Sequence, residues 1–180
     1  MTEAEKKIAE KTLKFLSKQS WNQTALNKIL KKNNTNTYIK SKIDLLKNIN
    51  RYVDYLLIIE MKSLEISSNK DMLFEVLMAR FDILQQNRKS FIEIYKDFKK
   101  FPQVFIKLLP SFLESMIITA ELSKFNVNGL KGSIRLKGLM IVYFATFFQW
   151  LDDKSSSLEK TMTALDKNLD QAEKLSKLFL

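Results

Sequence analysis

Apolar residues recur at three- and four-residue steps along nearly the whole of this chain, and the two-residue alternation of a half-buried strand is almost absent. That pattern restricts the 180 residues to an all-α fold. Few positions interrupt it: glycine occurs only at 129, 132 and 138, and proline only at 102 and 110. The spacing predicts a first helix over 3–19, with Ile8, Ala9, Phe15 and Leu16 inward. A second, capped by Asn22 or Thr24, runs through Lys32. After the polar turn NNTNT, Ser41 caps a long helix that ends near Ser67–Asn69, and the next runs to Gln86. Helices follow over 88–100 and, past the two prolines, over 111–124. Asn126–Gly129 is a loop, and helices over 130–152 and 156–178 close the series, the last capped by a serine of the 152–157 turn.

The residues that carry most enzyme chemistry are missing. Histidine and cysteine are both absent, which removes disulfides, histidine or thiolate metal sites, thiol nucleophiles and imidazole-dependent triads. Three scattered glycines cannot build a phosphate cradle. Glu114 and Glu121 sit seven apart on one helix face, where solvated carboxylates are the simpler reading than an acid–base pair, and Arg80, Asp82 and Arg135 suit structural ion pairs. The chain is therefore expected to bind rather than catalyse, with no cofactor. The N-terminal MTEAEKKIAEKTLKF has acidic residues early and no continuous apolar core, unlike a signal or transit peptide. The apolar run GLMIVYFATFFQWL, 138–151, falls short of the ~20 residues that span a bilayer. A cytoplasmic protein is expected, with peripheral contact at an inner membrane left open.

Charge is concentrated at one end. Residues 1–51 hold 12 basic and 4 acidic side chains, out of a formal net charge of +10 for the whole chain. Such a head attracts a polyanion, either nucleic acid or an anionic lipid surface. Lys28, Lys31, Lys32, Lys40, Lys42 and Lys47 are the candidate phosphate or headgroup contacts, with a solvated lysine-rich face as the bland alternative. At the other end, only Thr146 is polar between Leu139 and Phe148, so that helix needs cover on every side. Leu158, Met162, Leu165, Leu169 and Ala172 step along the last helix like a coiled-coil seam. With Met140 and Phe144 they form the expected homodimer interface, a four-helix bundle about a two-fold axis.

Two groups of residues carry a resemblance. Trp21-x-x-Thr24-x-Leu26-x-x-Ile29 followed by Ser41-Lys42-x-x-Leu45-Leu46 resembles the helix-turn-helix head of TetR-type transcriptional regulators. LFEVLMARFDILQQNRKSF, 73–91, and the stretch 129–173, through Val142-Tyr143, Thr146, Asp152-Asp153, Ser155 or Ser156, Thr161 and Leu165-Asp166, resemble the bacterial branch of the TetR-fold accessory proteins of ubiquinone (coenzyme Q) biosynthesis. The resemblance implies a degenerate head over 1–47 and a helical ligand-binding and dimerisation body over 48–180. Met72, Val76, Phe81, Phe91, Tyr95, Phe105, Phe112, Met116, Tyr143 and Phe147 are candidates to line an apolar pocket for an isoprenoid or quinone lipid, although ordinary core is the usual role of such residues. It also implies a membrane-associated hydroxylase as partner.

The same stretches depart from these patterns. Between Ile29 and Ser41 the chain is shorter than a TetR head by about four residues, roughly one helical turn. A recognition helix must place several side chains in a groove about 12 Å wide. The head is thus expected to keep its positive field and to lose much of its base reading. The Trp-Tyr pair of the eukaryotic accessory proteins has no counterpart in GLKGSIR, 129–135, and the tip Lys177–Leu180 is too short for an amphipathic anchor. A lipid-binding accessory protein is the first expectation; a TetR-family regulator with a small apolar effector is the second.

Overall fold

A computed structural model describes residues 1–21, 29, 38–63 and 69–179, excepting the side chains at 63, 69, 70 and 176–179. The expected second helix and NNTNT turn, with Lys28, Lys31, Lys32 and Leu64, lie outside the described residues. Among the described residues there are seven α-helices and no strand. They are α1 Glu3–Leu16, α2 Lys42–Glu60, α3 Asn69–Gln86, α4 Arg88–Lys100, α5 Pro102–Leu122, α6 Gly129–Asp152 and α7 Glu159–Phe179, with a 3-10 turn at Met61–Ser63. The all-α expectation holds.

Local chemistry sets the helix starts. Thr2 and Glu5 form a reciprocal capping box: the Thr2 amide donates to Glu5 Oε2 at 2.7 Å and the Glu5 amide to Thr2 Oγ1 at 3.3 Å. Ser41 and Asp44 do the same for α2, at 2.9 and 3.2 Å. Asn87 separates α3 from α4, and Pro102 opens α5, where its missing N–H costs nothing. One expected break is absent, because α5 continues through Pro110. Pro110 removes the amide that would reach Ile106, and both residues lie on the solvent side, where water can satisfy the freed carbonyl.

The chain divides into two compact units, Met1–Leu56 with Ile83–Phe112, and Leu57–Asp82 with Leu113–Leu180. In the first, Leu13, Leu16, Leu46, Ile49, Ile94 and Leu108 form a buried cluster with Phe91, Phe98, Val104 and Phe112 packed on it. Ser90 Oγ donates to the Leu13 carbonyl at 2.6 Å and Asn48 Nδ2 to the Glu5 carbonyl at 2.9 Å, tying α4 and α2 to α1. Hence α4 and the start of α5 share a compact unit with α1 and most of α2. In the second unit α6 and α7 form an antiparallel pair. Leu139, Val142, Tyr143, Thr146 and Trp150 face inward from α6, and Leu158, Leu165 and Leu169 seal α7 within the same chain.

Candidate functional site

The second unit contains an aromatic ladder. Residues 139, 142, 143, 146 and 150 share one face of α6 by their three- and four-residue spacing, and this brings Tyr143 against α3. The Phe81 and Tyr143 rings stack at 5.6 Å and 25°, Tyr143 lies 6.4 Å from Phe147, and Phe147 stacks on Trp150 at 5.3 Å. Arg80, 1% exposed, holds its guanidinium 5.5 Å from the Tyr143 ring centroid, within cation–π range.

Of the ten candidate pocket residues, Met72, Val76, Phe81, Met116, Tyr143 and Phe147 fall in this unit, all but Phe147 fully buried. Phe91, Tyr95, Phe105 and Phe112 fall in the other unit and are half-buried. There Phe98, Phe105 and Phe112 form a second rail, with successive ring centroids 5.6 and 5.8 Å apart. A cleft of about 300 Å³ on the first unit is lined by Leu16–Ser20, Lys89, Ile92, Glu93 and Lys96, none of them a candidate. To Arg80, expected to suit a structural ion pair, the structure adds burial over the Tyr143 ring.

The Ser41-Lys42-x-x-Leu45-Leu46 part of the head motif has a structural explanation at each named position, while Thr24 and Leu26 lie outside the described residues. Ser41 caps α2, and Leu45 and Leu46, 0% and 4% exposed, enter two different core clusters. Lys42 Nζ lies 2.5 Å from Asp97 Oδ1 and over the rings of Trp21 and Phe101 at 5.2 and 5.5 Å. This lysine, expected to face a phosphate, is committed to the interior of its own unit. Lys40 is exposed and Lys47 half-buried.

The residues that carried the second resemblance converge on the α6–α7 connection. Thr146 Oγ1 donates to the Val142 carbonyl at 2.8 Å and accepts from Asn168 Nδ2 at 3.1 Å, clasping α6 to α7. Asp153, 0% exposed, accepts from the Ser155 amide and hydroxyl and from the Thr161 amide and hydroxyl. Burial alone would raise its pKa, but these hydrogen bonds outweigh it and hold the carboxyl well below the usual range. Ser155 Oγ also accepts from the Glu159 amide at 3.2 Å, so a serine of the turn meets the first free amide of α7 although Leu158 is the residue that precedes the helix.

Among the expected interface residues, Leu158, Leu165 and Leu169 are covered within one chain, Met140, Phe144 and Ala172 are half-buried, and Met162 is exposed. The exposed large apolar positions of α6 are Leu130, Ile134, Ile141 and Phe148, at 85, 51, 69 and 51%. Ile134, Ile141 and Phe148 stand seven apart and so share one face. Heptad spacing identifies a seam without saying whether its partner is the same chain or another. Glu114 and Glu121 are solvent-exposed. Asp82 and Glu60 have raised carboxyl pKa values through desolvation, with Asp82's charge adding to the effect at Glu60. No protein-family model and no curated protein matches the sequence.

Proposed function

We propose that this chain is a non-catalytic lipid-binding accessory protein of ubiquinone biosynthesis, holding an isoprenoid quinone intermediate against the aromatic layer of its second unit. The observation that carries the reading is Arg80, a fully buried guanidinium laid over Tyr143 beside Phe81. An intermediate of this class has a polar oxygenated ring and a long apolar tail. A guanidinium is a donor chemically suited to ring oxygens, and the aromatic side chains of Phe81, Tyr143 and Phe147 are matched in character to ring and tail. The order of Tyr143, Thr146, Asp153, Ser155, Thr161 and Leu165 along the chain supports the same family. A homodimer through the exposed α6 face and presentation of the lipid to a membrane-associated hydroxylase belong to this proposal. So does a cytoplasmic location, peripheral at an inner membrane.

The test is organic extraction of the purified protein followed by mass spectrometry, with uptake of a short-chain quinone measured in parallel. An isoprenoid quinone or its precursor at near-stoichiometric level, lost on Arg80→Met, is the expected result. A lipid-free protein that takes up no quinone, and that binds a cognate duplex through raised salt and competitor DNA, would replace this reading with a TetR-type regulator.

A further inference from the structure

The corner between α4 and α5 combines exposed grease with exposed lysines. Phe101 closes α4 and Pro102 opens α5; Phe101 is 38% and Ile106 61% exposed, and Pro102 and Pro110 are exposed beside them. Lys99, Lys100 and Lys107 are also exposed, whereas Lys96 on the preceding turn is paired with Glu93 at 2.6 Å. Asp97 is buried and paired with Lys42. Residues 98–113 therefore present three lysines and large apolar side chains without a carboxylate, with Glu93 and exposed Glu114 flanking them. It is also stiff: the Phe98–Phe105–Phe112 rail underlies it, and Phe98, Val104 and Phe112 pack onto the core cluster of the first unit.

We propose that this corner docks on an anionic lipid bilayer, Phe101 and Ile106 entering the boundary between headgroups and acyl chains while Lys99, Lys100 and Lys107 meet lipid phosphates. The occupant follows from the two chemistries together. A phosphate backbone would engage the lysines but leave Ile106 in water, and a neutral apolar partner would strand the lysines. An anionic bilayer takes both at once, because its charged plane lies a few ångströms above its apolar interior. Lysine stems suit that geometry, lying along the apolar residues with their ammonium groups at headgroup level. Rigidity helps, since the groups that insert are already placed and lose little freedom on binding. The site lies wholly in the first unit and does not depend on the lipid cargo proposed for the second.

The full chain has no cysteine, so Ile106→Cys accepts a single environment-sensitive fluorophore. Vesicles of phosphatidylcholine with about 30% phosphatidylglycerol are the probe, and pure phosphatidylcholine vesicles the control, at salt of about 0.1 M. The protein is expected to float with the anionic vesicles and to release as salt rises. The label at 106 should shift to the blue, whereas the same label at exposed Ser157 should not. Ile106→Glu should lower vesicle partitioning at least about tenfold and Lys99→Glu with Lys100→Glu about 25-fold, with unchanged helicity and urea midpoint. No flotation with anionic vesicles, a bound state in which the label at 106 still reports water, or Ile106→Glu binding as wild type would overturn the proposal. So would loss of binding confined to variants of the 28–47 lysines. A protein without extractable quinone that still inserts position 106 would leave this surface standing and remove only the cargo reading.

Discussion

Asp153 Oδ2 accepts both the Thr161 amide, at 2.9 Å, and the Thr161 hydroxyl, at 2.8 Å, so a carboxylate eight residues upstream closes the first turn of α7. The residue just before α7 is Leu158, buried and held at φ +55°, and its side chain has no oxygen to offer the free amides. Asp153 supplies that oxygen from the preceding turn, and its charge faces the positive end of the helix dipole. Asp153→Ala should cost about 2–4 kcal/mol, since it strands four donors, the two of Thr161 buried and the two of Ser155 part-buried, and Thr161→Val about 1 kcal/mol, since only the hydroxyl is lost. Urea unfolding read by circular dichroism measures both.

The same bond set fixes a pH dependence. The folded pKa of Asp153 is depressed below its unfolded value, so its contribution is fully present above the unfolded carboxylate pKa, about 3.9. Stability then falls as pH drops below that value towards the depressed folded one. Asp153→Asn should show a lower plateau near neutrality and a shallower loss between about pH 5 and pH 2 than the wild type. Identical slopes would mean that the carboxylate charge is not what the cap requires.

Lys42 and Asp97 form a pair whose side chains are 23% and 7% exposed, enough burial for the coupling to matter. Asp97→Ala and Lys42→Gln should each destabilise by about 1–3 kcal/mol, with a double-mutant cycle showing favourable coupling. Lys42→Gln should leave the affinity for polyanions unchanged once corrected for unfolded protein. A fall in salt-sensitive DNA or vesicle binding with unaltered stability would restore the phosphate-contact role expected from the sequence.

Glycine at 132 and glycine at 138 should answer oppositely to alanine. A Cβ at 132 would lie 2.0 Å from the Val127 carbonyl carbon, backbone that cannot swing away, whereas a Cβ at 138 meets nothing within 4 Å. Gly132→Ala should cost about 2–3 kcal/mol. Gly138→Ala should stabilise α6 by about 0.5–1 kcal/mol, through the lower backbone entropy of the unfolded chain. Thermal melts of the two variants provide the comparison.

Ile134, Ile141 and Phe148 make an apolar stripe along α6, the surface proposed to meet a second copy. Ile141→Glu with Phe148→Glu should raise the dimer dissociation constant about 100-fold or more in sedimentation velocity, the monomer staying folded. Leu165→Ala removes a side chain covered within its own chain, and should cost about 2–5 kcal/mol of stability in place of a specific loss of dimer. A chain that sediments as a monomer at all concentrations would refute the stripe as an interface.

The sequence by itself determined the elements. Periodicity alone marks the all-α class, and local signals such as Asn87 and the Asn126–Gly129 loop mark helix ends within a few residues, because capping and helix register depend on near neighbours. Ser41 at the start of α2 was legible for that reason. Proline at 110 was not read correctly, since whether it breaks or merely interrupts a helix depends on whether water reaches the freed carbonyl. Other assignments required residues distant in the chain to be brought together. Lys42 looks like a surface cation until α4 delivers Asp97, 55 residues away, and Asp153 looks like a loop acid until Thr161 folds back onto it. Arg80 is one charge in an amphipathic run until α6 lays Tyr143 beneath it. Which face of α6 stays bare was likewise settled by tertiary packing, because spacing specifies a helix face whereas only the neighbouring helices determine whether that face is covered.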